Sequence, residues 1–254
     1  MLAAVQNGDA KEVAELIRQD PGFNVNMDLD GCGNTFLHFA CLQGSRSVVI
    51  PLLLAHPDID VNVKDIGLCT PFFLACLNAY PSCVRELLKD SRVDVNEPDK
   101  DGQTPLWWAG YYGYIDLIMW LIASGREMDL GDSEDVWTDV IGMAKKWGKT
   151  EVVSLLERFK GDATQTRHVM RVELGWYDEV AAEMFAVVVF VSDGLLQVKD
   201  TTTPSPAARF FHITRSLLLE LQMVLRYRVV GSAKEIIPGK ESEVAFKDLT
   251  KRLW

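Results

Sequence analysis

Residues 99–113 read Asp-Lys-Asp-Gly-Gln-Thr-Pro-Leu-Trp-Trp-Ala-Gly-Tyr-Tyr-Gly. This stretch has the pattern of a tight turn followed by a short helix. Asp99 and Gly102 favour the turn, because an Asp side chain bonds nearby backbone and glycine tolerates positive φ. Thr104 is a typical N-cap, and Pro105 suits the first helical position because no hydrogen bond is lost there. Gly113 is expected to end the helix after about two turns.

The same pattern recurs along the first two thirds of the chain. Its anchor is an alanine followed four places later by a small residue, as in Ala109 and Gly113. The equivalent alanines are Ala4, Ala40, Ala75, Ala109 and Ala144, separated by 36, 35, 34 and 35 residues. A threonine stands five residues before each of the middle three, and an aspartate stands five residues before each threonine. A spacing this regular indicates an array of repeated structural units.

Each anchor is followed by a second apolar segment with helical spacing, such as 117–121 after Ala109 and 152–156 after Ala144. A Val-Asn step then closes the first three units, at 25–26, 61–62 and 95–96. One helix pair cannot bury both of its faces, so the pairs are expected to stack and bury them against their neighbours. Cys41 and Cys76 directly follow their anchors and are predicted to be small buried packing residues.

The repeated unit resembles the ankyrin repeat, a β-turn plus two antiparallel helices with a Thr-Pro-Leu-His-x-Ala signature. The signature segments here are 35–40, 70–75 and 104–109, which read Thr-Phe-Leu-His-Phe-Ala, Thr-Pro-Phe-Phe-Leu-Ala and Thr-Pro-Leu-Trp-Trp-Ala. His38 is the one signature histidine that remains, and Leu68 stands where the turn glycine belongs. The signature is lost at 139–144, and the first unit has no hairpin, as expected for units at the ends of an array.

The resemblance implies an all-α fold for residues 1–160, an ankyrin-repeat solenoid of about five helix pairs with β-turn or hairpin tips. Trp107 and Trp108 occupy signature positions and are predicted to lie in the core.

Residues 161–254 are predicted to form a helical extension. The segment 163–192 has the pattern of a shortened sixth helix pair, and its second helix, through 191, is apolar nearly all round and must be covered. A polar, proline-marked linker follows at about 200–206. Apolar residues at helical spacing then predict helices at about 207–228 and 241–253. We expect these helices to cover the apolar segment, either as a cap on the array or as a separate module.

The composition limits the partner and the compartment. The chain has 254 residues and a formal net charge of −10, which disfavours nucleic acid and favours a basic protein or peptide. Five cysteines crowd into the first third, which is more typical of a reducing compartment than of a disulfide framework. No signal-peptide pattern or membrane-length apolar run is found, so we expect no membrane association and a location in the cytoplasm or the nucleus.

No catalytic, cofactor-binding or metal-binding residue is predicted. The four histidines belong to different units, with His38 assigned a structural role and His56, beside Pro57, expected to be solvated. No Cys/His pair has metal-ligand spacing, and no phosphate-binding glycine pattern occurs. An enzymatic activity in 163–254 has no motif to support it.

With no motif for catalysis or for a cofactor or metal, the predicted function is recognition of another protein on the concave face. In the ankyrin family this face is formed by the hairpin tips and the solvent side of the first helices. Transferred to this sequence, the resemblance places a protein-binding site at Leu42, Gln43, Lys64, Ile66, Leu77, Asn78, Lys100, Asp101, Gln103, Tyr111, Tyr112, Lys146 and Trp147. Within it, Leu42, Leu77, Tyr112 and Trp147 form an apolar and aromatic stripe of the kind favoured in binding hot spots. The alternative is that this stripe packs inside the molecule, under the C-terminal extension.

Two functions follow from this pattern. The first is a non-catalytic adaptor that binds a protein partner in the ankyrin groove. The second is a substrate adaptor of a ubiquitin ligase, with the C-terminal helices docking the ligase. Residues 217–225 are faintly similar to the start of an F-box or SOCS-box helix, a similarity that core packing also explains. The sequence leaves the partner and the oligomeric state open.

Overall fold

The structure is a computed structural model that describes residues 1–20, 22–132, 138–178, 180–182, 184 and 187. The chain divides into two compact units, Met1–Met170 and Arg171–Trp254. The predicted linker at 200–206 and the predicted helices at 207–228 and 241–253 lie outside the described residues, as does much of the second helix predicted within 163–192. The division into an array at 1–160 and an extension at 161–254 stays a prediction.

The described residues are all-α, with no strand among them. The helices are α1 (Leu2–Asn7), α2 (Ala10–Gln19), α3 (Phe36–Cys41), a 3₁₀ helix (Gly44–Val49), α4 (Ile50–Leu54), α5 (Pro71–Leu77), α6 (Pro81–Leu88), α7 (Pro105–Tyr112), α8 (Ile115–Ser124), α9 (Val140–Lys146), α10 (Thr150–Gly161) and α11 (Ala163–Glu173). Among these residues, α1 to α10 follow one another as five pairs, and α11 corresponds to the first helix of the predicted sixth pair.

The predicted helix starts are confirmed. Thr70 Oγ1 accepts the backbone N–H of Phe73 at 3.1 Å, and Thr104 Oγ1 accepts that of Trp107 at 3.2 Å. Each threonine therefore satisfies one of the backbone donors that a helix start leaves unpaired. Pro71 and Pro105 begin α5 and α7, where a missing N–H costs nothing.

The anchor alanines are the points of closest packing. The alanines at 4, 40, 75, 109 and 144 are all buried. First helices pack against one another in the order α1, α3, α5, α7, α9. At Gly110, one residue after an anchor, an added Cβ would lie 2.8 Å from Val140 Cγ1, so α7 and α9 approach more closely than an alanine allows. Cys41 and Cys76 are buried as predicted.

The second unit departs from the regular pattern in its second helix. The sequence predicts one apolar helix at 48–53, but the structure has a 3₁₀ helix (Gly44–Val49) followed by α4 (Ile50–Leu54). Pro51 explains the change, because it has no N–H to donate to the carbonyl of Ser47 and its ring disturbs the preceding turn. The tighter 3₁₀ turn accommodates the chain up to the proline.

The loops between units stack through backbone hydrogen bonds. Each tip is closed by its own bond, such as Asp65 N–H to Cys69 O and Asp99 N–H to Gln103 O, both 3.0 Å. Neighbouring tips are joined by Ile66 N–H to Cys32 O at 2.9 Å and by Lys100 N–H to Gly67 O at 3.0 Å. The tips therefore form one continuous edge along three units.

A ladder of asparagines also joins these loops, at positions that precede the tips in the sequence. It explains the repeated Val-Asn step. Asn62 Nδ2 donates to Arg92 O at 2.8 Å, and Asn62 Oδ1 accepts the N–H of Asp94 at 2.8 Å. Asn26 and Asn96 make the same two bonds to the unit after each, at 2.7–2.9 Å. Each asparagine thus bonds a donor and an acceptor roughly one repeat further along the chain.

Leu68 occupies the turn position that Gly33 and Gly102 hold in the neighbouring units. The φ angles are 59° at Leu68, 82° at Gly33 and 82° at Gly102. A left-handed conformation costs an L-residue about 1–2 kcal/mol, and glycine avoids this cost. The departure noted in the sequence therefore leaves backbone strain in the third unit.

No helix within the described part of the chain is long and apolar enough to span a membrane.

Candidate protein-binding groove

The stripe residues take equivalent places in successive units, 35 positions apart at 42, 77, 112 and 147. Leu77 and Tyr112 end α5 and α7, and Leu42 and Trp147 directly follow α3 and α9. Leu42 is 37% exposed, Tyr112 43% and Trp147 52%, while Leu77 is half-buried. A repeated position that keeps large apolar side chains in solvent gives the array an extended apolar surface.

The other predicted site residues differ in their surroundings. Ile66, at a loop tip, is 76% exposed, and Gln43, Lys100, Asp101 and Lys146 are also exposed. Lys64 Nζ lies 2.6 Å from a carboxylate oxygen of Glu97 in the next loop.

Two polar residues of the predicted site are occupied by local contacts. The amide of Asn78 donates to Leu74 O within its own unit at 2.8 Å. Gln103 is only 8% exposed, and its backbone N–H donates to Asp99 Oδ1. A buried Gln103 offers little surface to a partner.

Six aromatic residues form a continuous cluster in the fourth and fifth units. We call the following residues the aromatic cluster: Trp107, Trp108, Tyr111, Tyr112, Tyr114 and Trp147. Trp107 stacks on Tyr111 with ring centroids 5.5 Å apart, and Tyr111 meets the edge of Trp147 at 5.2 Å. Aromatic contacts at these distances stabilise beyond area burial by about 0.5–1.5 kcal/mol per pair.

A second stack in the cluster runs through Tyr112. Its ring lies 5.7 Å from Trp108 and 5.3 Å from Tyr114, nearly parallel to both. Burial, with a smaller contribution from Tyr112, raises the pKa of Tyr114. Tyr114 was not among the predicted site residues. Its position directly after Gly113 was the available signal, because the helix end turns it back toward Tyr112.

The two tryptophans predicted to lie in the core have different surroundings. Trp107 is buried, at 5% exposed, as predicted. Trp108 is only half-buried, and its Nε1–H donates to Asp99 Oδ2 at 3.0 Å. Asp99 Oδ1 also accepts the N–H groups of Asp101 and Gln103, both at 3.0 Å. Asp99 therefore connects the loop of the fourth unit to the aromatic cluster.

The histidine environments have structural explanations. The N–H of Thr35 donates to His38 Nδ1 at 3.1 Å, so the ring proton is on Nε2, which donates to Cys69 O at 3.2 Å. Burial lowers the pKa of His38 and keeps it neutral, despite the opposing effect of the Cys69 bond. The ring thus links the second and third units, the role that the family resemblance implied.

The expectation that His56 is solvated is wrong. His56 is buried, and its ring packs edge-on against Phe23 at 5.2 Å. Its Nδ1 accepts the N–H of Asp58 at 3.3 Å. The loop that carries Phe23 packs over the residues that follow α4. This contact joins distant parts of the sequence, so the His-Pro pair alone does not predict it.

Burial holds four of the cysteines as thiols. Burial raises the pKa of Cys69 to about 12 and that of Cys83 to about 11. Burial also raises the pKa of Cys41 and Cys76 well above the ordinary value. A thiol that stays protonated is a poor nucleophile and a poor metal ligand. Within the described residues, no group of three or more His, Cys, Asp or Glu side chains is arranged to hold a metal ion.

The stacked helix pairs and joined tips define a helical-repeat solenoid. Family models agree with this geometry. The family described as "Ankyrin repeats (3 copies)" matches residues 50–132, and "Ankyrin repeat" matches residues 32–63. Residues 32–132 of this chain therefore match the ankyrin repeat family.

Curated relatives match parts of this chain. Human "SMC5-SMC6 complex localization factor protein 1" is 31% identical over 151 residues, covering 56% of this chain and 14% of the relative. A "Putative ankyrin repeat protein" of Rickettsia bellii (strain RML369-C) is 36% identical over 89 residues, covering 35% of this chain and 49% of the relative. Human "Rabankyrin-5" is 32% identical over 102 residues, covering 40% of this chain and 9% of the relative. The chain spans less than half the length of each of these relatives.

Proposed function

We propose that residues 1–160 form a non-catalytic module that binds a protein partner in the groove lined by the ends of the first helices and the loop tips. The observation that carries the proposal is the stripe at 42, 77, 112 and 147. Three of its four members keep large apolar side chains exposed, at the same position of successive units. Exposed apolar surface of this kind is typical of interaction sites.

The aromatic cluster supplies the strongest expected contribution to binding. Tyr112 and Trp147 combine large exposed rings with supporting contacts from Trp108 and Tyr111 underneath. Such supported rings lose little conformational entropy on binding, because their neighbours already restrict them. Tyrosine and tryptophan are also enriched among the residues that dominate binding energies.

The free cysteines support a reducing compartment. Cys32, Cys41, Cys69, Cys76 and Cys83 are all free, and three of them are buried. Free thiols of this kind support a proposed location in the cytoplasm or the nucleus, where the module would act as an adaptor. The stretch 217–225, which suggested a ligase adaptor, lies outside the described residues.

The test is a double substitution, Tyr112→Ala with Trp147→Ala. Affinity capture from native lysate, with the full chain and the double variant side by side, identifies partners that depend on the groove. The double variant is expected to bind such a partner about 1–4 kcal/mol more weakly in a titration. Helical circular dichroism should be unchanged in the same samples.

Val48→Ala is the control. Val48 is 49% exposed in the 3₁₀ helix Gly44–Val49 and is not a member of the stripe. It should leave the affinity unchanged. Equal affinity of the double variant and the parent chain for every captured partner would contradict the groove assignment.

A further inference from the structure

The loops between units carry nearly all of the net charge of the chain. The loops 20–35, 55–70, 89–104 and 125–132 contain fourteen acidic and five basic residues, in less than a quarter of the sequence. Their surplus of nine carboxylates compares with a formal net charge of −10 for the whole chain. The remaining sequence is therefore close to neutral, and the negative field is concentrated along one edge of the array.

Three of the five basic residues of these loops make structural contacts within the array. Lys64 pairs with Glu97, and Arg92 pairs with Asp90 at 2.6 Å and also donates to Leu54 O. Arg126 donates to backbone carbonyls of the preceding loop, including Ser91 O at 3.0 Å. These contacts tie neighbouring units together and use the cations for structure.

Hydrogen bonds lower the pKa of two loop carboxylates. The hydrogen bond from Arg92 lowers the pKa of Asp90, and the backbone N–H of Cys32 with the amide of Asn34 lowers the pKa of Asp30. Asp101 and Glu127 are exposed, on the loops before α7 and after α8. The loop edge therefore presents carboxylate oxygens to solvent.

The acidic loops and the aromatic cluster are in direct contact through the bond between Trp108 Nε1 and Asp99 Oδ2. The face of an aromatic ring attracts a cation, and arginine or lysine over tryptophan or tyrosine is the usual pairing. One surface thus combines two features that both favour positive charge, carboxylates at the loop tips and exposed rings at the helix ends.

We propose that the groove binds an extended basic peptide segment, with lysine or arginine side chains on the loop carboxylates and on the rings of the aromatic cluster. This inference rests on the proposed function and names the chemistry of its partner. Packed helices lie about 8–10 Å apart. A polyproline-II chain rises about 3.1 Å per residue with three residues per turn, so residues i and i+3 lie on one face about 9 Å apart. The partner therefore carries a basic residue at about every third position.

The test uses a random library of peptides about 12 residues long, long enough to cross three units, selected on the full chain. Recovered peptides should be enriched in lysine and arginine at three-residue spacing and depleted in acidic residues. Their affinity should fall about five- to tenfold in the double variant Asp101→Asn with Glu127→Gln, and should weaken as salt is raised. These two changes remove charge and keep side-chain shape.

The matched control is Glu12→Gln with Glu15→Gln. It makes the same change in net charge on the exposed side of α2, a helix that carries none of the loop carboxylates and none of the aromatic cluster. The control should bind the recovered peptides within about twofold of the parent chain. An equal loss in the control and the loop variant would overturn the proposal, because it would show an effect of net charge alone.

Recovery of neutral or acidic peptides, or of none, would also overturn the proposal. Neutral peptides that need Tyr112 and Trp147 would leave the proposed function standing while this inference fails. Basic peptides that bind the Tyr112→Ala, Trp147→Ala variant as tightly as the parent chain would contradict the groove itself.

Discussion

Replacing Gly102 with alanine isolates the cost of a left-handed turn in this array. Gly102 has a φ of 82° and sits at the loop tip before α7. An added Cβ would have no atom within 4 Å, so the methyl group meets only solvent. Any loss of stability then comes from the backbone and not from a clash.

The expected magnitude follows from two opposing effects. A left-handed conformation costs alanine about 1–2 kcal/mol. Alanine also restricts the unfolded chain, which stabilises the folded state by about 0.4–1 kcal/mol. The free energy of unfolding of Gly102→Ala should therefore fall by about 1 kcal/mol.

Gly161→Ala is the matched comparison, with the opposite expected sign. Gly161 is the last residue of α10, its φ is outside the left-handed region, and an added Cβ would again have no atom within 4 Å. Alanine is favoured over glycine in a helix by about 1 kcal/mol in the interior, and by less at the end. We expect Gly161→Ala to stabilise the chain by about 0.5 kcal/mol.

The assay is urea unfolding monitored by circular dichroism. The midpoint and the slope of the transition are compared for the parent chain, Gly102→Ala and Gly161→Ala. If thermal unfolding is measured as well, a loss of about 1 kcal/mol in the free energy of unfolding corresponds to a fall in Tm of about 2–4 °C for a domain of this size. Shifts of the same sign in both variants, or an unchanged midpoint in Gly102→Ala, would refute the argument from φ. Leu68, at the same position one unit earlier with a φ of 59°, shows that the turn geometry persists when a side chain is present.

Two further predictions concern the contacts between units. Asn62→Ala removes the bonds to Arg92 O and from the N–H of Asp94, and should lower the free energy of unfolding by about 1–2 kcal/mol in urea titrations. Asn7→Ala, on the exposed side of α1, should change it by less than about 0.5 kcal/mol, and equal shifts in the two variants would show that the ladder adds nothing. Burial lowers the pKa of His38 below its ordinary 6.5, so the unfolded chain binds a proton at a pH where the folded chain does not. The free energy of unfolding should therefore fall as the pH drops below about 6.5, by at most about 1.4 kcal/mol per pH unit. Urea titrations between about pH 7.5 and 5.5 should show a shallower loss in His38→Gln than in the parent chain, and parallel curves would contradict this assignment.

The spacing of small residues and helix caps was enough to predict the repeat. Anchors about 35 residues apart, each preceded by a threonine cap, leave few alternatives to stacked helix pairs, and the burial of all five anchor alanines confirms the pattern. The cap at Thr104 and the turn before it are local, because the atoms that bond there lie within five residues of one another. Local geometry of this kind can be read directly from sequence.

Contacts between distant residues could be anticipated only in part. The stripe at 42, 77, 112 and 147 was predicted from repeat position, and three of its four members are exposed in the structure. The burial of Gln103 and His56 was not anticipated, because it depends on how a loop folds back over a neighbouring unit. The link between Asp99 and Trp108 likewise needs a helix and a loop to meet at a specific distance.

The sequence by itself determined that a unit recurs about every 35 residues, that Thr-Pro caps begin α5 and α7, and which side chain stands at each equivalent position. Caps, turns and apolar spacing act over a few residues, so they are encoded locally. Only the tertiary structure decided that each ladder asparagine bonds the loop of the next unit, that Tyr114 completes the aromatic cluster, and that the acidic loops meet that cluster at Asp99. These contacts join residues about one repeat apart or bring a helix end against a loop, and their partners are fixed by how the units stack.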